Sequence, residues 1–555
     1  MSDKKEICII ECISSGMMYL EEIIDRGYKA LLIQPICDDA HMMEIKHAAV
    51  DSFLRSHGTE DFEYMFVENN SDAMVEAIKD HIDNIVAVVC GSEMGVRPAD
   101  EVAAKLGLVG NNPDTSNSRC TKKGMIKALE SAGIRAIKTV VVNSDEDIIH
   151  FFRDNNINKA FMKFSESAGG YANKTCENMQ EALDYYQHIK NIPNYFGNNK
   201  DEILLQEFIE GNEYVVNTMS CQGKHILTDI WQYTKTPNDK GSVLYNSSKL
   251  IEELDDELQS LVEYVFKVLD AVNLTVGPCH GEYKIDQNGP VLIETNCRPM
   301  GDSTTRDYML DISGNCIVDW SLDAYLKQDD FLERIAQNKP YKTIQSASKK
   351  YGILNKEREG DMSAAFCIGE HLKTYHNHND YQPAGIKKYP KTEDLGDTPM
   401  ILKLAGSSAE DVKYDIDLMR KFETTYPDIY VCPKPNLDAG SISDINEIAS
   451  ALGSYDAVID RADACTRTLV ITEDNAYEVC KGKYSPVDCN TPKIFDQVLY
   501  ANASQATLAQ KFNEIFDSFK YLKVGGRALC GKNVTSILPY GEECFDLIKA
   551  AARVK

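Results

Sequence analysis

The chain of 555 residues has no Cys-x-x-Cys pair among its 17 cysteines, no Gly-x-Gly-x-x-Gly run, no Met-Lys-Met tripeptide and only 2 tryptophans. Scattered, unpaired cysteines argue against a zinc ribbon and against a disulfide framework, so most read as reduced core residues. Without the glycine fingerprint, a dinucleotide-binding oxidoreductase is disfavoured. No uninterrupted apolar run reaches the roughly 18 residues needed to span a bilayer, and Met1-Ser2-Asp3-Lys4-Lys5 leads into a strand without a signal-peptide core. The expectation is a cytoplasmic protein with no membrane partner. Positive charge is also scarce: 59 basic against 86 acidic residues give −27, a field that repels nucleic acid. What remains is a globular composition, 43% hydrophobic and 26% charged, long enough for three or four domains and suited to small-molecule chemistry.

The chain begins with a βαβ pattern. A strand over Lys5 to Ile13, a turn at Ser14-Ser15-Gly16, a helix from Met17 to Arg26 and a strand from Tyr28 to Pro35 predict a parallel sheet. A third strand, Ile85 to Cys90, runs into Gly91-Ser92-Glu93-Met94-Gly95-Val96, with Pro98 starting a helix. Loops at the carboxyl ends of parallel strands bind ligands, so Glu93 either faces a substrate or caps that helix.

The most informative stretch is His280-Gly281-Glu282-Tyr283-Lys284-Ile285-Asp286, then Gln287-Asn288-Gly289, then Pro290-Val291-Leu292-Ile293-Glu294-Thr295-Asn296-Cys297-Arg298. Two alternating strands around an Asn-Gly signal predict a β-hairpin. A three-residue loop pairs Asp286 with Pro290 and sets Glu282 opposite Glu294; a two-residue loop would put them on opposite faces. In the three-residue register Glu294, Asn296 and Arg298 share that face. Facing carboxylates call for a cation, and hard oxygen donors suit Mg²⁺ held jointly with nucleotide phosphates. Cys279 and Cys297 flank this face, as packing rather than reactive residues.

This hairpin resembles the metal-binding core of the ATP-grasp enzymes, an acidic residue followed a dozen positions later by Glu-x-Asn-x-Arg. Other stretches resemble the family's remaining parts in order. A helix expected over Ser118 to Leu129 resembles its nucleotide helix, with Lys122 better placed than Lys123. A strand over Lys159 to Phe164 followed by Ser165-Glu166-Ser167-Ala168-Gly169-Gly170-Tyr171 resembles its lysine and closing loop. There Lys163 is a point charge, and small residues let backbone N–H groups reach phosphate. Phe164 stands where the family commonly has proline. Gln206-Glu207-Phe208-Ile209-Glu210-Gly211-Asn212-Glu213-Tyr214 resembles the adenine hinge. The resemblance implies that Glu207 and Ile209 lie at the adenine edge and that Glu213 holds the ribose hydroxyls. On the next strand, Lys235 reaches a phosphate and Trp231 lines the substrate pocket, or each packs within the sheet. A helical stripe from Ile251 to Val272 leads back to the hairpin.

Gly91 to Val96 and Gly277-Pro278-Cys279-His280-Gly281-Glu282 are most similar to the L-amino-acid ligase branch. That likeness implies ATP with Mg²⁺ or Mn²⁺ as cofactors, and metal ligands at Glu282, Glu294 and Asn296. It implies nucleotide contacts from Lys122, Lys163, Ser167, Gly169, Gly170, Glu207, Ile209, Glu213 and Lys235, with Arg298, Lys163 and Asn296 as the catalytic groups. Glu93, Trp231, His280, Arg298, Gly301 and Asp302 would meet the substrate. The implied reaction is ATP-dependent ligation of a carboxylate to an amine, both expected to be amino acids, through an acyl phosphate. A biotin-carboxylase-type reaction is disfavoured by the missing biotinylation tripeptide. A regulator that binds nucleotide without catalysis is the reading from a different class, and intact Glu282, Glu294, Asn296 and Arg298 speak against it.

The expected fold is multidomain, α/β and α+β. It comprises an N-terminal parallel α/β domain over 1–114, an ATP-grasp fold over 115–330 with a mobile subdomain at about 136–210, and a small C-terminal lid over 331–430. An additional α/β domain over 431–555 is expected to be structural or to mediate a homodimer.

Overall fold

The computed structural model describes residues 4–37, 40–58, 60–165, 171–194, 201–238, 243–301, 304–337, 341–359, 372–380 and 388–425, with strand segments at 467–471, 476–480, 483–486, 495–500 and 522–530. The chain forms two compact units, Met1–Ser346 with Glu393–Leu395, and Ala347–Thr392 with Gly396–Lys555. No helix among the described residues is long and apolar enough to cross a membrane.

The first unit opens with β1 (Glu6–Ile10), α1 (Met18–Asp25), β2 (Lys29–Ile36), α2 (Ala40–His57), β3 (Phe62–Glu68), α3 (Ser71–Ala77), β4 (Ile85–Cys90) and α4 (Val96–Leu106). The strands pair in parallel in the order β3-β2-β1-β4. Burial on both faces explains the unbroken apolar runs: Ile7 to Ile10 and Ala30 to Ile33 have no exposed surface. β1 stops short of Ile13 because Glu11 turns to φ 55°. There the backbones crowd together, and a Cβ on Gly16 would lie 2.2 Å from the Gly91 carbonyl oxygen. Pro98 does not start its helix; α4 begins two residues earlier, at Val96.

The helix expected from Ser118 is in fact two, α5 (Asn117–Cys120) and α6 (Lys122–Ser131). Thr121 is extended between them, and its hydroxyl caps α6 by accepting from Gly124 N. Lys122 is thereby the first residue of α6.

Next come β5 (Thr139–Val141), α7 (Asp145–Asp154), β6 (Ala160–Phe164), β7 (Lys174–Cys176), α8 (Met179–Ile189) and β8 (Ile203–Glu207), whose strands form an antiparallel sheet in the order β5-β8-β6-β7. A Ser144–Asp147 capping box starts α7 and Asn178 caps α8. This sheet has a core of its own around Ile148, Phe152, Met162 and Leu205.

The chain then builds β9 (Asn212–Cys221), β10 (Lys224–Pro237), β11 (Val243–Leu250), α9 (Asp256–Ala271), β12 (Gly277–Asp286) and β13 (Gly289–Asn296). These strands run antiparallel in the order β13-β12-β9-β10-β11. Gly211 enters β9 at φ +111°, and a Cβ there would meet the Ile285 carbonyl oxygen at 2.0 Å. Helices α10 (Arg306–Ser313), α11 (Ile317–Leu326) and α12 (Gln328–Ala336) follow.

The β12–β13 hairpin differs from its expected register in an instructive way. The loop has two residues, since Asp286 pairs with Gly289 and Ile285 with Pro290. Glu282 nevertheless pairs with Glu294, because the register shifts between Tyr283↔Leu292 and Glu282↔Glu294. Ile293 is the extra residue of a β-bulge, which restores the facing carboxylates that the short loop alone would have lost.

In the second unit β14 (Ser346–Tyr351) is followed by β15 (Arg358–Glu359), β16 (Tyr375–Asp380), β17 (Lys388–Tyr389), β18 (Met400–Gly406) and α13 (Ala409–Thr425). β16 pairs with β18, and β15 with β17. A mixed sheet follows in the order β21-β20-β19-β22-β23, from β19 (Arg467–Ile471), β20 (Ala476–Cys480), β21 (Lys483–Pro486), β22 (Phe495–Tyr500) and β23 (Leu522–Cys530).

Candidate active site

Two cavities meet at the bulged hairpin. The larger, about 970 Å³, is lined by Lys122, Lys163, Glu207, Ile209, Glu213 and Lys235 among others. The smaller, about 730 Å³, is lined by Glu93, Arg97, His280, Asn296, Arg298 and Gly301. Lys122, Tyr233, Tyr245, Glu282 and Glu294 line both. Each volume lies in the range of small-ligand pockets. Ile293 and Glu294 are neighbours in sequence and both face the larger cavity, an arrangement that a regular strand forbids and the bulge permits.

At the junction, Lys122 Nζ lies 2.7 Å from Glu294 Oε2, bringing the first residue of α6 to β13. Burial would raise the Glu294 carboxyl, but Lys122 and Lys163 outweigh it and hold its pKa at about 2. The same attraction raises the Lys122 ammonium against its burial. Lys163 behaves oppositely: burial, reinforced by Lys122, lowers its pKa to about 8. Asn296 Nδ2 donates to Glu294 Oε1 at 3.3 Å.

Further along the larger cavity Glu213 pairs with Lys235 at 2.5 Å, and the Lys235 ammonium lies 4.3 Å from the Tyr245 ring centroid. Glu207 binds Lys138 twice, its N–H donating to the Lys138 carbonyl and its carboxylate accepting from Lys138 N. The Ile209 carbonyl accepts from Lys284 Nζ at 3.0 Å. Thus the hinge carboxylate and one hinge carbonyl are already engaged by the protein.

The smaller cavity joins the carboxyl end of β4 to the end of β13. Arg298 Nε lies 3.1 Å from Glu93 Oε2, so two expected substrate residues 205 positions apart are partners. Burial raises the Glu93 carboxyl despite that guanidinium. The Gly301 carbonyl accepts from Ser15 Oγ at 2.9 Å. Ser167, Gly169, Gly170 and Asp302 lie outside the described residues.

Trp231 lines neither cavity. It is fully buried and donates from Nε1 to Asp229 Oδ1 at 2.6 Å. Asp229 Oδ1 also accepts from Asn217 Nδ2 at 2.5 Å, and Asn217 Oδ1 is 3.1 Å from His280 Nδ1. An ionised carboxylate can only accept, so Asn217 turns its amide nitrogen to Asp229 and its oxygen to His280. Nδ1 of His280 therefore carries the proton, while Nε2 lies 3.7 Å from Glu282 Oε1. Burial lowers the His280 pKa and favours this neutral ring. Asn217 and Asp229 were not legible as site residues, because β9 and β10 carry several other polar residues and no spacing singles these two out. Cys279 and Cys297 are both buried, and the Cys297 thiol is pushed well above its ordinary pKa by its contact with Cys279 and by burial.

Among the described residues no three His, Cys, Asp or Glu side chains gather to hold a metal. The donors that are present fit a hard ion shared with a ligand: Glu282 and Glu294 face each other across one strand pair beside the Asn296 amide. Mg²⁺ is commonly held by one or two carboxylates together with substrate phosphates.

Residues 162–307 match the family described as ATP-grasp domain. Dapdiamide A synthase of Enterobacter agglomerans is 26% identical over 302 residues, 54% of this chain and 69% of that protein. Among solved structures, the L-amino acid ligase from Bacillus licheniformis superposes with a TM-score of 0.57 at 15% identity, over 76% of this chain and 98% of that one. N5-carboxyaminoimidazole synthase from Aspergillus clavatus, in complex with ADP and 5-aminoimidazole ribonucleotide, gives 0.54 at 12% identity, over 77% and 100%. The chain carries an ATP-grasp domain and is built on the ATP-grasp fold.

Proposed function

We propose that this protein is an ATP-dependent carboxylate–amine ligase that activates one small carboxylic acid, an amino acid, as its acyl phosphate and joins it to the amine of a second. The carrying observation is that two cavities of ligand size share a wall made of Glu282, Glu294 and Lys122. One cavity suits a nucleotide and the other a pair of small polar molecules, so a phosphoryl group leaving the first arrives in the second. The similarity to dapdiamide A synthase supports a synthase chemistry for the pair.

In this reading Glu213 holds the ribose hydroxyls, Ile209 borders the base, and Lys163 and Lys122, with Lys235 beside Glu213, face the phosphates. Glu282, Glu294 and Asn296 would hold Mg²⁺, which neutralises phosphate charge when bound. The Arg298 fork takes the substrate carboxylate or the acyl-phosphate oxygens, and Glu93 takes an ammonium group. The carboxylate oxygen attacks the γ-phosphorus and ADP leaves; the amine, once neutral, then attacks the acyl carbon, and phosphate leaves with that oxygen and takes up the proton the nitrogen gives away. These steps need aligned charge rather than a protein nucleophile. The domain boundaries at 1–114, 115–330, 331–430 and 431–555 belong to the same proposal, with the sheet of β5 to β8 as the closing part over the nucleotide.

The test is ADP release by the purified chain with ATP, Mg²⁺ and mixed amino acids, followed by mass spectrometry of the products. Release that depends on two amino acids and yields a mass equal to their sum less water is expected. Nucleotide binding without amine-dependent release would instead indicate a regulator.

A further inference from the structure

The register that brings Glu282 opposite Glu294 is held from outside the hairpin. Had the pairing Tyr283↔Leu292 continued regularly, Ile293 would stand opposite Glu282, and Glu294 opposite Gly281 on the other face. β13 is the terminal strand on its side of the sheet. Next to the bulge, Leu292 N donates to the Tyr264 hydroxyl of α9 at 3.1 Å, and that hydroxyl donates to the Arg135 carbonyl at 2.6 Å. Arg135 then grips the other end of the same hairpin. Its Nη1 and Nη2 reach Asp286 Oδ1 and Oδ2 at 2.9 and 2.6 Å, and Nη1 also reaches the Gly289 carbonyl at 2.6 Å. The hairpin is thus pinned at its turn and at its bulge by one relay.

Tyr264 is suited to that task. It is 8% exposed and stands edge-on to Tyr283, with ring centroids 6.2 Å apart. Burial lifts its hydroxyl pKa to about 12, so it remains a donor at any working pH. Arg135 lies in the segment that leads from α6, the helix begun by Lys122, into β5. One relay therefore references Glu294 both to its partner carboxylate and to the element that carries its lysine.

We propose that Tyr264 and Arg135 are positioning residues that fix the Ile293 bulge, and through it the register of Glu294 against Glu282 on which divalent-ion affinity depends. The inference rests on the metal reading above. Neither side chain touches substrate; both act through the backbone of β13. Loss of a group that orients a metal ligand commonly costs about 10–100-fold in metal affinity.

The experiment uses the full chain with Mn²⁺ and a non-hydrolysable ATP analogue, comparing nucleotide affinity by calorimetry with Mn²⁺ and with EDTA, and counting bound Mn²⁺ by electron paramagnetic resonance. Tyr264→Phe, with its fold checked by circular dichroism, is expected to lose about 10–100-fold in Mn²⁺-dependent affinity while binding in EDTA stays within about twofold of the parent. Should Tyr264→Phe fold poorly, Arg135→Gln releases the turn but leaves the backbone carbonyl for Tyr264, and it is expected to show the same selective loss to a smaller degree. Glu294→Gln is the reference. If it loses Mn²⁺ while the relay variants bind like the parent, the positioning role is overturned and the metal reading stands. If Glu294→Gln binds Mn²⁺ normally, the metal reading falls and the inference with it. An equal loss with and without metal would mean a merely structural role and would also overturn it.

Discussion

The two cavities differ in their cations, and the difference separates what each is built to hold. Apart from the shared Lys122, the larger draws its positive charge from lysines, Lys159, Lys163, Lys174, Lys235 and Lys284, whereas the smaller draws it from Arg97 and Arg298. A lysine is a compact point charge on a flexible stem that can follow a polyphosphate; an arginine is a planar fork that holds a carboxylate or an acyl phosphate bidentately. The wall between them carries the facing carboxylates. A polyphosphate on one side and a small carboxylate on the other is the pairing that this division favours.

The strongest way to break the division is to alter the shared wall. Glu294→Gln removes a carboxylate from both cavities and is expected to lower Mg²⁺-dependent ADP release at least about 100-fold, because both the ion and Lys122 lose their partner. Its fold should persist, since the group faces a cavity; steady-state kinetics beside circular dichroism checks both. Turnover near the parent's would remove Glu294 from the metal site.

Next in size is a change confined to the smaller cavity. Arg298→Lys keeps the charge and loses the fork, so ATP affinity by calorimetry should stay within about threefold while amine-dependent turnover falls about 100-fold or more. Equal losses in both would erase the distinction between the cavities.

A smaller effect sharpens the lysine side. With its pKa at about 8, Lys163 is charged below that pH and neutral above it, and phosphate binds the charged form. ATP affinity should therefore be level below pH 7 and decline as pH rises through 8, by up to about tenfold per unit. Lys163→Arg should flatten that decline, and a parent profile flat to pH 9.5 would contradict it.

The least effect belongs to Trp231. Because it is buried against Asp229 rather than in a cavity, Trp231→Phe should cost about 1–3 kcal/mol of stability in denaturant unfolding while KM for both substrates is unchanged.

How much could be read from the chain follows the same physics. The parallel strands and the hairpin strands announced themselves by apolar runs and alternation, because burial on fixed faces imposes those periods. Glu282, Glu294 and Asn296 were legible because they are close in sequence on two adjoining strands, and Arg298 because it follows the end of β13 by two residues. The bulge was not: it depends on Tyr264 meeting Leu292 N across 28 positions, and no local pattern records that. β3 was missed because it is an edge strand with mixed burial and an exposed Tyr64, which weakens the apolar signal. The single helix expected at Ser118 split because Thr121 preferred to cap α6. The pairing of Glu93 with Arg298 joins separate elements 205 residues apart, beyond the reach of any spacing argument.

Oxygen tracing tests acyl-phosphate ligation most directly. Amino acids carrying ¹⁸O in the carboxyl group are incubated with the full chain, ATP and Mg²⁺ in ordinary water, and the released phosphate is weighed by mass spectrometry. If the carboxylate attacks the γ-phosphorus, each product formed sends one ¹⁸O into phosphate. Phosphate that carries no label while a condensed product accumulates would contradict the mechanism.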